Sequence, residues 1–210
     1  MKFLIHFFSI TLLGLSFLSA QNIVTKTVAD SSADFLRSFP AEGVPDANGW
    51  NYGWYDLAAD ADNTYNYETD FKQFENGQTR GNGFGVVSGG APWTSVNPEN
   101  KGHPQGGGSE QWPIRRYTVE AGTPSDATIN WLLAADNPGG SGTTLNVYRN
   151  GNEIATATTR QAAGLSGSVE LNDLSAGDVI DFALTPVGDD GSNSQGSDGS
   201  FFRWHRDDQF

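Results

Sequence analysis

Apolar residues recur at every second position along much of the second half of the chain. Ile129, Trp131 and Leu133 share one side of an extended segment, and Ile180, Phe182 and Leu184 do the same. A two-residue period buries one face of a strand and leaves the other wet. The pattern predicts strands over Trp112–Glu120, Thr128–Ala135, Thr143–Arg149, Glu153–Thr159, Ser168–Asn172, Asp178–Pro186 and Ser200–Trp204. Asn150-Gly151 between two of them is the dipeptide of a type I′ hairpin, in which both residues take positive φ. In the first half, Ile23–Val28, Trp50–Asp56 and Tyr65–Phe74 read as further strands, and Ser32 with Asp34 is placed to cap a short helical turn through Phe35 and Leu36. Gly77 to Gly108 is rich in Gly, Asn, Pro and Ser. A structureless loop of that length is uncommon in a compact domain, so short strands or a binding loop are expected there. Turn signals recur about every ten residues. The expected fold is all-β, an antiparallel β-sandwich or jelly roll.

Composition narrows the picture. The 210 residues hold 12 Lys and Arg against 25 Asp and Glu, a net charge of −13. That field repels phosphate backbones and anionic bilayers, which excludes nucleic acid and membrane surfaces as expected partners. There is no Cys, hence no thiol nucleophile, redox centre or zinc–thiolate site. Lys2 followed by the apolar run Phe3–Phe17 and Leu18-Ser19-Ala20 reads as a secretory signal ending near Ala20. The run is too short to cross a bilayer. The expected organisation is a signal peptide at 1–20, a lead or first strand at 21–48 and a β-sandwich at 49–210, in a secreted, extracellular or periplasmic protein with no membrane insertion.

Several motifs follow one another in order: Gly49-Trp50-Asn51-Tyr52-Gly53-Trp54-Tyr55-Asp56, Trp93, His103-Pro104-Gln105-Gly106, Trp112-Pro113-Ile114-Arg115-Arg116-Tyr117, Asp136-Asn137-Pro138-Gly139-Gly140-Ser141-Gly142, Val147-Tyr148-Arg149-Asn150-Gly151 and Gly177-Asp178-Val179-Ile180-Asp181-Phe182. The series resembles a β-sandwich module, galactose-binding-like and of jelly-roll type, that occurs in secreted bacterial proteins associated with polysaccharide-active and surface domains. Trp54 stands where that pattern prefers Tyr, and Tyr117 where it prefers Trp. The resemblance implies a carbohydrate-binding module with a polysaccharide partner.

The residues themselves suggest where such a partner would sit. Trp50, Tyr52 and Trp54 share one strand face, with Tyr55 on the other beside Gly53. Flat aromatic faces stack on the C–H faces of pyranoses, and the same rings serve equally well in a core. Trp93 and Trp112 are further candidate platforms. His103, in a Gly- and Pro-rich loop, is a hydrogen-bonding or basic group, or simply structural. Arg115 and Arg116 point to opposite faces of their strand. One suits a buried ion pair with an Asp such as Asp181 and the other an acidic sugar; the alternative is a pair of internal salt bridges. Asp136, and the turn Asp189-Asp190 with Asp198, are candidate ligands for structural calcium, which takes six to eight oxygens; acidic and amide residues are also good turn formers. No G-x-S-x-G, H-E-x-x-H or phosphate-cradling motif occurs. The leading expectation is a secreted polysaccharide binder. The alternatives are a jelly-roll lyase or hydrolase, with Tyr55 or His103 as base and Arg115 neutralising a uronate, and a structural or adhesive module that binds a protein through an exposed apolar patch.

Overall fold

The computed structural model describes residues 25–35, 44–87, 93–193 and 198–209, with backbone only at 25–28, 87, 93 and 205–209. The expected signal peptide at 1–20 lies outside the described residues. The strands are β1 (Thr25–Asp30), β2 (Trp50–Asp56), β3 (Lys72–Gln73), β4 (Thr79–Arg80), β5 (Gly83–Val87), β6 (Trp93–Val96), β7 (Lys101–His103), β8 (Gln111–Thr118), β9 (Ala127–Ala135), β10 (Thr143–Arg149), β11 (Asn152–Thr159), β12 (Leu165–Leu171), β13 (Val179–Thr185) and β14 (Ser200–Gln209). They form two antiparallel sheets. One has eight strands, in the order β12-β9-β14-β7-β6-β5-β4 with β1 beside β14; the other has six, in the order β11-β10-β13-β8-β2-β3. This is the expected all-β sandwich.

The period-2 signal correctly marks the inward faces. Ile129, Leu133, Ile180, Phe182 and Leu184 are all buried between the sheets, and Trp131 packs at the margin of the same core. Asn150 (φ +48°) and Gly151 (φ +78°) make the β10–β11 turn, and Arg149 pairs with Asn152 across it. Two expectations change, and that of short strands in the Gly77–Gly108 stretch is met. Tyr65–Phe71 is not a strand: only Lys72–Gln73 pairs with β2, and the residues before it run across the sheet's outer face. The Gly77–Gly108 stretch contributes four short strands, β4 to β7. The turn after β1 is capped by Asp30, whose Oδ1 accepts the Ser32 and Ala33 amides at 2.8 and 3.0 Å; Leu36 lies outside the described residues.

β14 is twice as long as the pattern suggests. It pairs with β9 from Ser200 to Asp208, and on its other side with β7 at one end and β1 at the other. It thereby joins the amino-terminal strand to the sheet. The aromatic and basic end of the chain has a structural explanation along this strand. Phe202 and Trp204 are core, Arg203 pairs with Asp30, and Phe201 lies under the Lys101 ammonium, 4.8 Å away.

The core is an aromatic stack. Trp204 lies 4.4 Å from Phe182 and 4.5 Å from Trp50, and Trp50 neighbours Tyr52 and Tyr117. Among these rings sits Arg115, with none of its surface exposed. Its guanidinium donates to the Ser31 carbonyl at 2.9 Å, the Asn97 carbonyl at 2.7 Å and the Lys101 carbonyl at 3.4 Å. Its Cζ lies 4.7 Å from the Phe202 ring centre. Burial pushes its pKa down to about 10, so it stays charged at neutral pH. Arg115→Met removes these donors and leaves the buried Ser31 carbonyl and the half-buried Asn97 carbonyl without the guanidinium, so it is expected to destabilise the fold by about 2–4 kcal/mol in urea unfolding. The Tyr52 hydroxyl is buried without a partner. Tyr52→Phe is therefore expected to leave stability unchanged, or to raise it by up to about 1 kcal/mol.

Candidate functional site

Side-chain alternation puts Trp50, Tyr52 and Trp54 on one face of β2, as the sequence indicates, but that face is the inner one. Trp50 and Tyr52 are 0% and 3% exposed. Stacking them against each other and against Trp204 takes more apolar surface from water than a surface platform would. They have no face to offer a ligand. Trp54, nearer the sheet edge, is half-buried, and the Lys72 ammonium lies 4.8 Å from its ring centre. Trp93 lies in β6, where only backbone is described.

Tyr55 faces outward from the sheet yet is 1% exposed, because residues 57–71 fold across it. Its hydroxyl donates to Asp60 Oδ2 at 2.5 Å, and burial, reinforced by that carboxylate, holds its pKa well above the ordinary phenol range. Trp112 packs edge-on against Tyr55 at 5.0 Å and donates its indole N–H to Glu110 at 2.7 Å. Tyr65 and Tyr148 complete this outer aromatic layer.

The crossing segment is held by an ion pair. Arg116 meets Asp181 through two hydrogen bonds of 2.8 Å, its Nη2 also donates to the Tyr67 carbonyl at 2.7 Å, and Tyr65 donates to Asp181 at 2.8 Å. Burial opposes the Arg116 charge, but the Asp181 bonds outweigh it and raise the pKa. The Phe71 ring centre lies 4.0 Å from the guanidinium. Gly53 permits this approach: a Cβ there would stand 2.6 Å from the Phe71 ring and 2.4 Å from the Lys72 carbonyl. The expected Arg–Asp181 pair is thus present. It belongs to Arg116, while Arg115 serves the opposite face.

Other motif residues also turn out to be framework. Asp178 accepts bonds from Arg149 (2.8 Å), Asn150 (2.9 Å) and the Ser175 amide (3.0 Å), which ties the G-D-V-I-D-F strand to the hairpin. Gln105 exchanges backbone bonds of 2.9 Å with Gln111, which fixes the loop after His103. Tyr55 and Arg115 lie on opposite faces of one sheet, and His103 lies in the other sheet. Arg115 is fully buried and its guanidinium is spent on backbone carbonyls, so it is not placed to neutralise a uronate as the lyase reading required.

At the β2–β3 edge of the six-stranded sheet lies a groove of about 920 Å³ that the sequence does not announce. Asn51, Arg116 and Thr118 line it from the sheet. The turn-rich segment 68–78 forms the opposite wall, with Trp54 and Phe71 as apolar elements and Glu68, Lys72 and Glu75 as charged ones. The only signal in the sequence was the mixture of charged and aromatic residues within 67–75. A second, smaller cleft of about 260 Å³ lies in the eight-stranded sheet and contains His103 and Asp136.

No family model matches the chain. A search of characterised proteins likewise gives no match. Among solved structures, similar chains include a CBM51 from Clostridium perfringens GH95 in complex with methyl-galactose (12% identity, covering 59% of this chain and 79% of that one, TM-score 0.38). They also include a family 35 carbohydrate-binding module from Clostridium thermocellum (14%, 59% and 87%, TM-score 0.32). A third is a CBM36 in complex with calcium and xylotriose (10%, 63% and 91%, TM-score 0.31). Similarity at this level adds nothing to what the two sheets already show.

The candidate calcium ligands are dispersed. Asp136 is bound by Lys101 at 3.1 Å, Asp189 lies 3.7 Å from Arg160, and Asp190 accepts the Ser192 amide of its own turn at 2.9 Å. Among the described residues no three carboxylates or imidazoles gather into a group that could hold a metal ion. Asp198 is 1% exposed, and neither carboxylate oxygen has a partner. Burial, with the nearby Asp190 charge, pushes its pKa up to about 7. Its folded pKa is thus raised above the unfolded one, so the native state holds the extra proton between about pH 4 and 7, and stability falls as pH rises through that window. Asp198→Asn is expected to flatten this decline, gaining on the order of 2–4 kcal/mol at pH 8 and little at pH 4. Thermal melts across that range check it.

Proposed function

We propose that this chain is a polysaccharide-binding β-sandwich of an exported protein, and that the glycan lies in the groove over β2, β3 and β8. One observation carries the reading: the groove at the β2–β3 edge is lined by Trp54 and Phe71 together with side chains of both charges and neutral amides. Sugars offer apolar C–H faces and rows of hydroxyls, and their sites pair aromatic surface with a few placed polar groups. The groove is open, as a polymer needs, and its volume falls within the range of small-molecule sites. Arg116, bound on both sides by Asp181 and Tyr67, stiffens the floor, so little ordering is required on binding.

The adhesive alternative called for an exposed apolar patch. Among the described residues the exposed large apolar side chains are Val44, Leu132 and Leu165. Leu165 pairs with Leu133 in register, so Leu132 and Leu165 face opposite sides of their sheet. The groove favours a glycan over a protein surface.

Affinity electrophoresis of the exported protein through gels containing neutral and acidic polysaccharides is the test. Retardation by at least one polymer is expected, and Trp54→Ala or Glu75→Ala should weaken it roughly tenfold, about 1.4 kcal/mol, without loss of Tm. Unchanged mobility across the panel, or retardation indifferent to both substitutions, would overturn the reading. Shortening of a polymer during the run would place catalysis ahead of binding.

A further inference from the structure

Four Asn-Gly pairs occur in the chain: Asn48-Gly49, Asn76-Gly77, Asn82-Gly83 and Asn150-Gly151. Such a pair can react with itself. The glycine nitrogen attacks the asparagine side-chain carbonyl carbon, ammonia leaves and a succinimide ring remains; water then opens the ring to aspartate or isoaspartate. Glycine favours this closure because it has no Cβ and turns freely. The reaction needs an unbound side-chain amide and a peptide plane free to rotate towards it. The fold withholds both at three of the four pairs. Asn150 donates to Asp178 at 2.9 Å and its oxygen accepts the Val179 amide at 2.8 Å, while a Cβ on Gly151 would stand 2.9 Å from the Tyr67 ring. Asn48 donates to the Asp34 carbonyl at 3.2 Å, and the Gly49 nitrogen that would attack donates to the Asp46 carbonyl at 3.0 Å. Asn82 donates to Glu99 at 2.9 Å, and Gly83 is buried, with space for a Cβ closed by the Val96 carbonyl.

Asn76-Gly77 is built differently. The pair is the tip of the turn between β3 and β4, and Asn76 lines the groove. The turn is pinned on both sides of the tip. The Gln78 amide donates to the Glu75 carbonyl at 3.0 Å, the Glu75 amide to Gln78 Oε1 at 2.8 Å, and the Gly85 amide to the Gln78 carbonyl at 2.9 Å. The tip itself is exposed. Among the described residues none forms a hydrogen bond with the Asn76 side chain, and nothing lies within 4 Å of where a Cβ on Gly77 would stand. Gly77 holds a φ of +96°, so its peptide must turn before its nitrogen meets the Asn76 carbonyl, and no neighbour opposes the turn. We infer that Asn76 is the self-modification site of this protein: it deamidates through Gly77 in the folded state while the other three asparagines are preserved. The step replaces an amide by a carboxylate beside Glu75, in the wall of the groove. It does not depend on what the groove binds; on the reading proposed above, it sets an age-dependent negative charge against the polymer.

The experiment is peptide mapping of the full exported protein during incubation in mildly alkaline buffer, with isoaspartate resolved from aspartate, beside the same protein unfolded in urea. In the folded protein, conversion at Asn76 should outrun that at Asn48, Asn82 and Asn150 by about tenfold or more, the weight of the one or two hydrogen bonds that the others must first break. In urea the four should convert at similar rates. Isoaspartate and aspartate should form together, because water opens the succinimide on either side. The rate should rise with pH, because the attacking nitrogen must give up its proton. On isoelectric focusing a more acidic form should accumulate in step with the map. Asn76→Ser, at an exposed position, should suppress the early acidic form at unchanged Tm. Equal or faster conversion at any of the other three pairs in the folded protein would overturn the inference. So would aspartate formed without isoaspartate, an acidic form that appears as fast in Asn76→Ser, or an Asn76 that stays intact while the unfolded chain converts.

Discussion

One fully buried guanidinium ties the sandwich together. Arg115 rises from the six-stranded sheet and ends on carbonyls of the turn after β1 and of the β6–β7 hairpin, both part of the eight-stranded sheet. Among the described residues no carboxylate forms a hydrogen bond or salt bridge with it. Its charge is met by carbonyl dipoles and by the face of Phe202. A buried ion is costly, and removing its partners strands both sides. The inter-sheet spacing, the aromatic stack around Trp204 and the placement of the amino-terminal strand are therefore coupled through this one side chain.

The next residue does the corresponding work on the outside. Arg116 fixes Asp181, Tyr65 and the Tyr67 carbonyl, and so holds residues 57–71 over the sheet. Strand alternation makes this division possible: neighbouring arginines must point to opposite faces. The groove exists because the crossing segment returns as β3 at the sheet edge, where Gly53 lets Phe71 and Lys72 approach the sheet. Binding surface and framework thus share a foundation, and substitutions at Arg116 or Asp181 would change both at once.

Much of the negative charge has local work. Asp30, Asp46, Asp60, Asp62 and Asp70 accept backbone amides within turns, and Asp178 clamps a hairpin. Turns rich in such residues replace the helices that a longer connection would require.

The sequence alone determined the class of fold and most of the strands. Period-2 alternation needs only local geometry, and the Asn150-Gly151 turn needs only φ. It also determined which residues share a face: Trp50 with Tyr52 and Trp54, and Arg115 away from Arg116. Which face is buried was decided only by the tertiary structure. An aromatic ring suits a core and a sugar platform for the same physical reason, its flat apolar area, so composition cannot separate the two uses. The packing of β14 beneath β2 and β8, through Trp204 and Phe202, put Trp50 and Tyr52 inside. The segment after Tyr65 was misread because its alternation reflects packing against a sheet and not pairing within one. The groove brings together residues far apart in the chain, Asn51 with Glu75 and Arg116. No local pattern encodes that proximity; it appears only when the sheets are assembled.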